Sequence, residues 1–583
     1  MPAAGPRGYA VCPAWPELPM MRFIHFIIVM LIVLAAPSPV WASDPPAGAG
    51  PWVVRATFND ERSLAALLRR AAPWRVDRKS REVLIEVDNA FEWRRMQREG
   101  FDVRIDPALT RALNQPPSKA ANQITGIPGY ACYRTVEETY AAAETLVAAH
   151  PTLAEWIDIG DSWRKQQNLP AGWDLRVLRI TNRSVAGPKP VLFVQGALHA
   201  REYVTAETVL RLGEQLLAAY GNDADATWIV DHHDIHLLPV ANPDGRKIAE
   251  LASTRLQRKN RNESFCPAGG TNLGVDLNRN YAWNFGGPGS SSDPCQSVFR
   301  GPSTLSEPET QSITAWLRTI FPDQRAETSL TDRTTPVSLD ATGFYVDVHS
   351  NGAGNWFPWG DVASQAPNGA QMQTLARKLE FYNGYEAIQG ALTGVIGGAS
   401  DDYTFGTLGV PAFTMELGGS DFWPACSTYE AQIAPGTLQS LRFAARIVRA
   451  PYRLPAGPEL VAALASPGAA GGNVVLTATA NDGRFGAGTG PEPVQSVQAV
   501  EVFLQPPWQA GASPVGSMSA QDGAFDSIQE AVTFSLAPSS LPAGRTLVYL
   551  QAIDAAGNRG PVSAVFVIID AGVFANGFEP QVP

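Results

Sequence analysis

A histidine and a glutamate three residues apart, His199 and Glu202 in the stretch GALHAREYVTAE (196–207), directly follow the apolar run VLFVQGAL (191–198). Imidazole and carboxylate together make a metal-ligand pair, and zinc suits that mixed nitrogen–oxygen set. A catalytic zinc takes three protein ligands and keeps a fourth position open. The same spacing fits a buried strand running into a polar loop, so a third ligand decides between the two. The chain has seven histidines. His25 lies in an apolar N-terminal run, and His150 ends a helical pattern. Three more cluster in DHHDIH (231–236), where His232 and His236 share a face if the segment is a strand. Polar residues at a strand entrance give the same pattern. His349 ends the apolar run FYVDVHS, a position equivalent to that of His199. It reads either as the third ligand or as a hydrogen-bonded core histidine.

Strand ends must position such a set. Between about residues 130 and 454, helical patterns such as ETYAAAETLVAAH and AETVLRLGEQLLAAYG alternate with LRVLRIT, KPVLFVQGAL, DIHLLPVAN, GFYVDVHS and VPAFTMEL. Near-continuous apolar strands between helices predict an α/β fold, a sheet with helices on both faces. Sites in such sheets gather beyond the carboxyl ends of the strands, where His199, Asn242 and His349 lie. Ahead of it, residues 52–113 predict a small β-α-β-α-β module, with a polar linker over 111–129. Residues 458–570 carry short strands between Gly, Pro, Asn and Asp clusters, the pattern of an immunoglobulin- or fibronectin-like β-sandwich. A tail, 571–583, follows.

The charge balance, 45 basic against 56 acidic residues, gives −11. That argues against nucleic acid as a partner. From Met21, an arginine, an apolar run over 23–36 and small residues ending at Ala42 read as a secretory signal, with translation starting at Met20 or Met21. A retained membrane anchor is the other reading, for which the run is short. Export places the chain in an extracellular or periplasmic compartment, and it leaves four cysteines, an even number where disulfides form.

Six motifs in order, HARE, PVANPDG, RKNR, DLNRNYAWNFGG, DVHSNG and FTMELG, resemble those of the zinc metallocarboxypeptidases related to pancreatic carboxypeptidases A and B. The resemblance covers a little more than half of the chain. It implies one Zn2+ held by His199, Glu202 and His349. It implies Glu416 as the catalytic glutamate, Arg261 as the carbonyl-polarising arginine, and Asn278 with Arg279 as the grip on a substrate's C-terminal carboxylate. The partners it implies are peptides or proteins with a free C-terminus, cut by a monomer. A disulfide bracketing DLNRN is implied between Cys266 and Cys295, which leaves Cys132 to pair with Cys426.

The sequence departs from the family at its mobile tyrosine. Aligning GGASDD (397–402) puts Thr393 there, with Tyr385 and Tyr403 off register. The floor of the side-chain pocket falls on Ser400, next to Asp401, which predicts broad or mixed specificity. The 52–113 module resembles a family prosegment in its order of elements, and an accessory domain fits equally well. The sandwich reads as a binding module or spacer, and the GFEP tail resembles those of some secreted Gram-negative proteins. Two rival readings share the site: a peptidoglycan stem-peptide hydrolase, and an inactive surface-binding homologue.

Overall fold

The computed structural model describes residues 44–46, 50–266, 272–325, 329–419, 421–466 and 472–569. The signal-like segment and the C-terminal tail lie outside them.

Residues 52–114 form a small module. Its strands are β1 (Trp52–Phe58), β2 (Arg75–Asp77), β3 (Glu82–Val87) and β4 (Phe101–Ile105), ordered β2-β3-β1-β4 with every pair antiparallel. Helices Glu61–Leu68 and Ala90–Arg98 start at Asp60 and Asn89, whose side chains accept from backbone N–H groups of the first turn. They bury Leu64, Leu67, Trp93 and Met96 against Val54, Ala56 and Val83. The structure adds the short edge strand β2. It also adds a helix, Pro107–Asn114, that runs into the segment read as linker. Asp106 caps that helix and Pro107 opens it.

The central sheet has eight strands: β5 (Ala154–Asp161), β6 (Asp174–Ile180), β7 (Val191–Gly196), β8 (Asp234–Leu238), β9 (Phe344–Ser350), β10 (Gly354–Phe357), β11 (Glu386–Gln389) and β12 (Ala412–Leu417). Their order is β11-β10-β12-β9-β7-β8-β6-β5. The inner four, β12-β9-β7-β8, are parallel, and antiparallel pairings flank them. Every residue of β7 and β9 is buried, because both faces are covered. Alternation along β8 shows the two layers. Leu237 meets Gly213 of helix Tyr203–Ala219 on one side, and His236 meets Trp316 of helix Pro308–Ile320 on the other. Among the described residues there are two disulfides: Cys132–Cys426, 294 residues apart in sequence, and Cys266–Cys295.

The C-terminal part is a sandwich of two four-stranded sheets. Its strands are β13 (Glu459–Ser466), β14 (Val474–Asn481), β15 (Val497–Phe503), β16 (Gly516–Ser517), β17 (Ser519–Ala520), β18 (Gln529–Leu536), β19 (Gly544–Asp554) and β20 (Ser563–Ile569). They are ordered β13-β14-β18-β17 and β16-β15-β19-β20. Leu476, Val500, Val532, Val548 and Leu550 fill the space between the sheets. The sandwich is fastened to the central region. Trp508 packs on Trp228 and under the Arg449 guanidinium, and Ala564 N–H donates to Asp225. The fully buried Lys378 has Glu459 3.5 Å away as its ion-pair partner.

Candidate active site

Three strand ends meet at one cleft. β7 leads through Ala197 and Leu198 to His199, and Glu202 then precedes the first turn of helix Tyr203–Ala219. β9, hydrogen-bonded beside β7, brings His349 at its penultimate position. β12, on the far side of β9, brings Glu416 alongside His349. All four side chains are buried or nearly so.

The site's ligand atoms converge. His199 Nδ1 lies 3.0 Å from His349 Nδ1 and 2.9 Å from Glu202 Oε1, and His349 Nδ1 lies 3.2 Å from Glu202 Oε2. Tetrahedral zinc, with bonds of about 2.0–2.1 Å, sets its ligand atoms roughly 3.3 Å apart. The three residues therefore fit such an ion, and among the described residues they are the one cluster that does. The DHHDIH histidines do not form one. His232 closes a helix rather than lying on β8, His233 bonds the Ala445 carbonyl, and His236 pairs with Asp234.

Asp276 sits behind His199, 3.2 Å from its Nε2, and accepts from Arg258 Nε and Nη2. Burial alone would raise the Asp276 carboxyl, but Arg258 and Arg279 outweigh it and hold it well below the usual range. Arg258 is thereby aimed into the cleft, its Nη1 3.1 Å from His199 Nδ1. This corrects the assignment of Arg261. Arg261 is partly exposed, pairs with Glu263 at 3.2 Å and does not line the cleft. The run RLQRKNR holds four cations, and the fold turns all but Arg261 inward. Arg255 donates to the carbonyls of Ala112 and Leu113, the last turn of the module's final helix, and its guanidinium lies over Trp423. Lys259 donates to the carbonyls of Pro294 and Gln296, and burial lowers it to about 7.

Asn278 and Arg279 lie in a short turn, Leu277–Arg279, capped by Asp276, and both line the cleft. Arg279 donates from Nε to Gly289 O and from Nη1 to Asn278 O, and burial pulls it down to about 10. Its backbone is met closely by Gly398, at φ +80°, where a Cβ would come 2.4 Å from the Arg279 carbonyl oxygen. Only glycine fits that position.

Burial raises Glu416 to about 7, with Glu202 adding to the effect while His349 and the Gly352 N–H oppose it. Asp401 lines the cleft, accepts from Thr414 Oγ1 at 3.0 Å, and is raised by burial to about 6. Ser400 does not line it, which corrects its placement at the pocket floor. As the first residue of helix Ser400–Leu408 it is fully buried, and its hydroxyl points back to Asp347. Thr393 is at the cleft, its hydroxyl bonded to Gly390 O. Tyr385 and Tyr403 face Thr437 and Arg318 instead, and no described tyrosine lines the cleft.

The N-terminal module covers the opening. Leu68 and Trp74 line the cleft, and Trp74 packs on Phe422. Glu86 accepts from the indole N–H of Trp74 and from Arg201 Nη1. Arg201, Arg258, Asp276 and Trp74 went unassigned in the sequence. Arg201 and Asp276 lie inside the HARE and DLNRN motifs, which was the signal available for them.

Comparison with known proteins agrees with this geometry. The chain is 37% identical to carboxypeptidase A2 of Mus musculus over 192 residues, 32% of this chain and 42% of that protein. It is 30% identical to carboxypeptidase A2 of Rattus norvegicus over 302 residues, 50% and 64% respectively. It thus spans less than two thirds of the length of these relatives. The fold is similar to that of carboxypeptidase A from Helicoverpa armigera, at TM-score 0.56 and 21% identity over 70% of this chain and 99% of that one. Thrombin activatable fibrinolysis inhibitor matches at TM-score 0.53 and 21% identity, over 69% and 99%. The family model for zinc carboxypeptidases, peptidase M14, matches residues 139–436. Over just more than half its length, and through every strand that carries the site, this chain belongs to that family.

Proposed function

We propose that the protein is an exported zinc-dependent metallocarboxypeptidase that releases C-terminal residues from peptides. One observation carries the reading: three converging ligand atoms stand in a buried cleft beside Glu416 and Arg258, with Asn278 and Arg279 in the same cleft. A zinc ion held by His199, Glu202 and His349 would supply Lewis-acid polarisation of a carbonyl and a lowered pKa for water.

The chain's own residues do the rest. Arg279, with Asn278 beside it, binds the substrate's terminal carboxylate, since a guanidinium fork matches that group. This anchors the last peptide bond rather than an internal one. Arg258 stabilises the negative charge that builds on the scissile carbonyl oxygen. Glu416 takes a proton from the attacking water and passes it to the leaving amine. A carboxyl poised near 7 suits both halves of that transfer.

The 52–114 module acts as a prosegment on this reading. It lines the cleft through Leu68 and Trp74 and holds on through Glu86 and Arg201. The exposed segment 117–122 offers a protease the place to separate it. Export is supported by the signal-like sequence and by the two disulfides.

The test is amino-acid release. Protein nicked between residues 114 and 126 is incubated with peptides that differ in the last residue, with chelator and with zinc restored. Single C-terminal residues released, lost with chelator and regained with zinc, are the expected result. Zinc-loaded protein that is inactive on every peptide would overturn the reading and point to cell-wall peptides.

A further inference from the structure

Asp347 is fully buried in the middle of β9, two residues before His349. A buried carboxylate requires a cation or hydrogen-bond donors. Asp276, its counterpart behind His199, has Arg258 and also Arg279 close by. Asp347 has neither arginine nor lysine within ion-pair distance among the described residues, and its one such partner is His349, Nε2 to Oδ2 at 3.1 Å. The same Oδ2 accepts from Ser400 Oγ at 2.5 Å.

The geometry fixes the direction of these bonds. His349 Nδ1 faces Glu202 and His199, so it must keep its lone pair for a metal, and the ring proton belongs on Nε2. The other polar atom near Nε2 is Asn278 Nδ2, 3.5 Å away, itself a donor. Asp347 is therefore the acceptor. Ser400 reaches in both directions: its hydroxyl donates to Asp347, and its backbone N–H donates to Asn278 Oδ1 at 2.9 Å. That second bond turns the Asn278 amide so that Nδ2 is its free end.

We infer that Asp347 and Ser400 are positioning residues for the metal site: Asp347 holds His349 in the Nε2–H tautomer with Nδ1 aimed at the metal, and Ser400 ties that carboxylate to the Asn278 that meets the substrate's terminus. This rests on the metal reading of the site, and it reassigns the residue that the sequence had placed in a specificity pocket. It gives both histidines a carboxylate of their own, Asp276 for His199 and Asp347 for His349. Such partners orient the ring and raise its basicity as a ligand.

The test measures zinc affinity by chelator competition on the full chain, without substrate. Asp347→Ala is expected to weaken zinc binding about 10–100-fold. Asp347→Asn keeps the volume, loses the charge and falls between parent and Ala. Ser400→Ala, which keeps the backbone bond to Asn278, weakens zinc binding about tenfold. Thermal midpoints are read beside affinity. In excess chelator the Asn and Ser400 variants melt within a few degrees of the parent, while the increment that added zinc gives shrinks, as weaker binding requires. Parent-like zinc affinity in Asp347→Asn and Ser400→Ala overturns the inference, as does a loss confined to the chelated form. A parent that takes up no zinc overturns the metal reading together with it. A parent that binds zinc yet cleaves no peptide sinks the proposed reaction and leaves this inference standing.

Discussion

Glu416 and His349 are direct partners in the parallel pairing of β12 with β9, so the proposed base and a proposed metal ligand are set at a fixed spacing by two backbones rather than by loops. Glu416→Gln keeps that spacing and removes the proton acceptor. Turnover is expected to fall by roughly 10²–10⁴-fold, the usual worth of a general base, with zinc stoichiometry unchanged. Zinc analysis beside kcat decides it, and full activity in the variant would contradict the mechanism.

The acid limb of activity follows from the same residue. Burial raises Glu416 to about 7, and only its ionised form can accept a proton. Its raised value means that the active form is lost as pH falls through that value. kcat/KM is expected to climb with unit slope up to about pH 7 and then level. A limb centred below pH 5 would assign the base elsewhere.

The two arginines of RKNR separate cleanly. Arg258→Ala removes a donor aimed into the cleft and is expected to cost about 10²–10³ in kcat. Arg261→Ala breaks only a partly exposed pair with Glu263 and is expected to leave kcat within about twofold, since exposed pairs contribute little. The reverse ranking would restore Arg261 to the site.

Glu86→Gln tests the hold of the N-terminal module. The change weakens a charged bond to the buried Arg201, worth about 1.5–3 kcal/mol. The intact chain should gain activity before any nick, while the nicked protein stays as active as its parent. Equal activity of the intact parent and its nicked form would show that the module does not inhibit.

Glu459→Ala addresses the sandwich. Glu459 is the carboxylate shared by Lys378, Arg446 and Arg484 at 3.5–3.6 Å, and Lys378 is fully buried. Breaking a buried pair by removing one partner costs about 3–5 kcal/mol. A urea unfolding midpoint that does not move would mean that the sandwich is loosely attached.

The candidate metal ligands were legible only in part from local pattern, since His199 and His349 stand where buried apolar runs stop but a core histidine fits the same places, and it was the order of the six motifs that singled out His199, Glu202 and His349. The inner strands of the sheet were legible from runs that are apolar on both faces. The strand β10 and the edge strand β11 beside it are short and mixed in composition, and left no such trace. Arg258 was missed because four cations stand within seven residues, and only the Asp276 carboxylate, 18 residues on, selects among them. Ser400 was misplaced because a one-residue offset turns a side chain from the cleft to the core, leaving Asp401 at the cleft instead. The docking of the sandwich rests on pairs such as Lys378–Glu459, which periodicity does not encode.

The Cys132–Cys426 bond makes the cleft-bearing region a closed ring of chain, with the N-terminal module and the sandwich as two open arms outside it. Any single cut between residues 132 and 426 leaves the two pieces covalently joined. A cut before residue 132 severs the covalent link of an arm to the ring. The covalent topology thus treats cuts unequally: one cleavage inside the ring leaves the pieces covalently joined, and one cleavage in the segment just before Cys132 leaves the part that covers the cleft held by noncovalent contacts alone, such as Arg201–Glu86 and Trp74–Phe422.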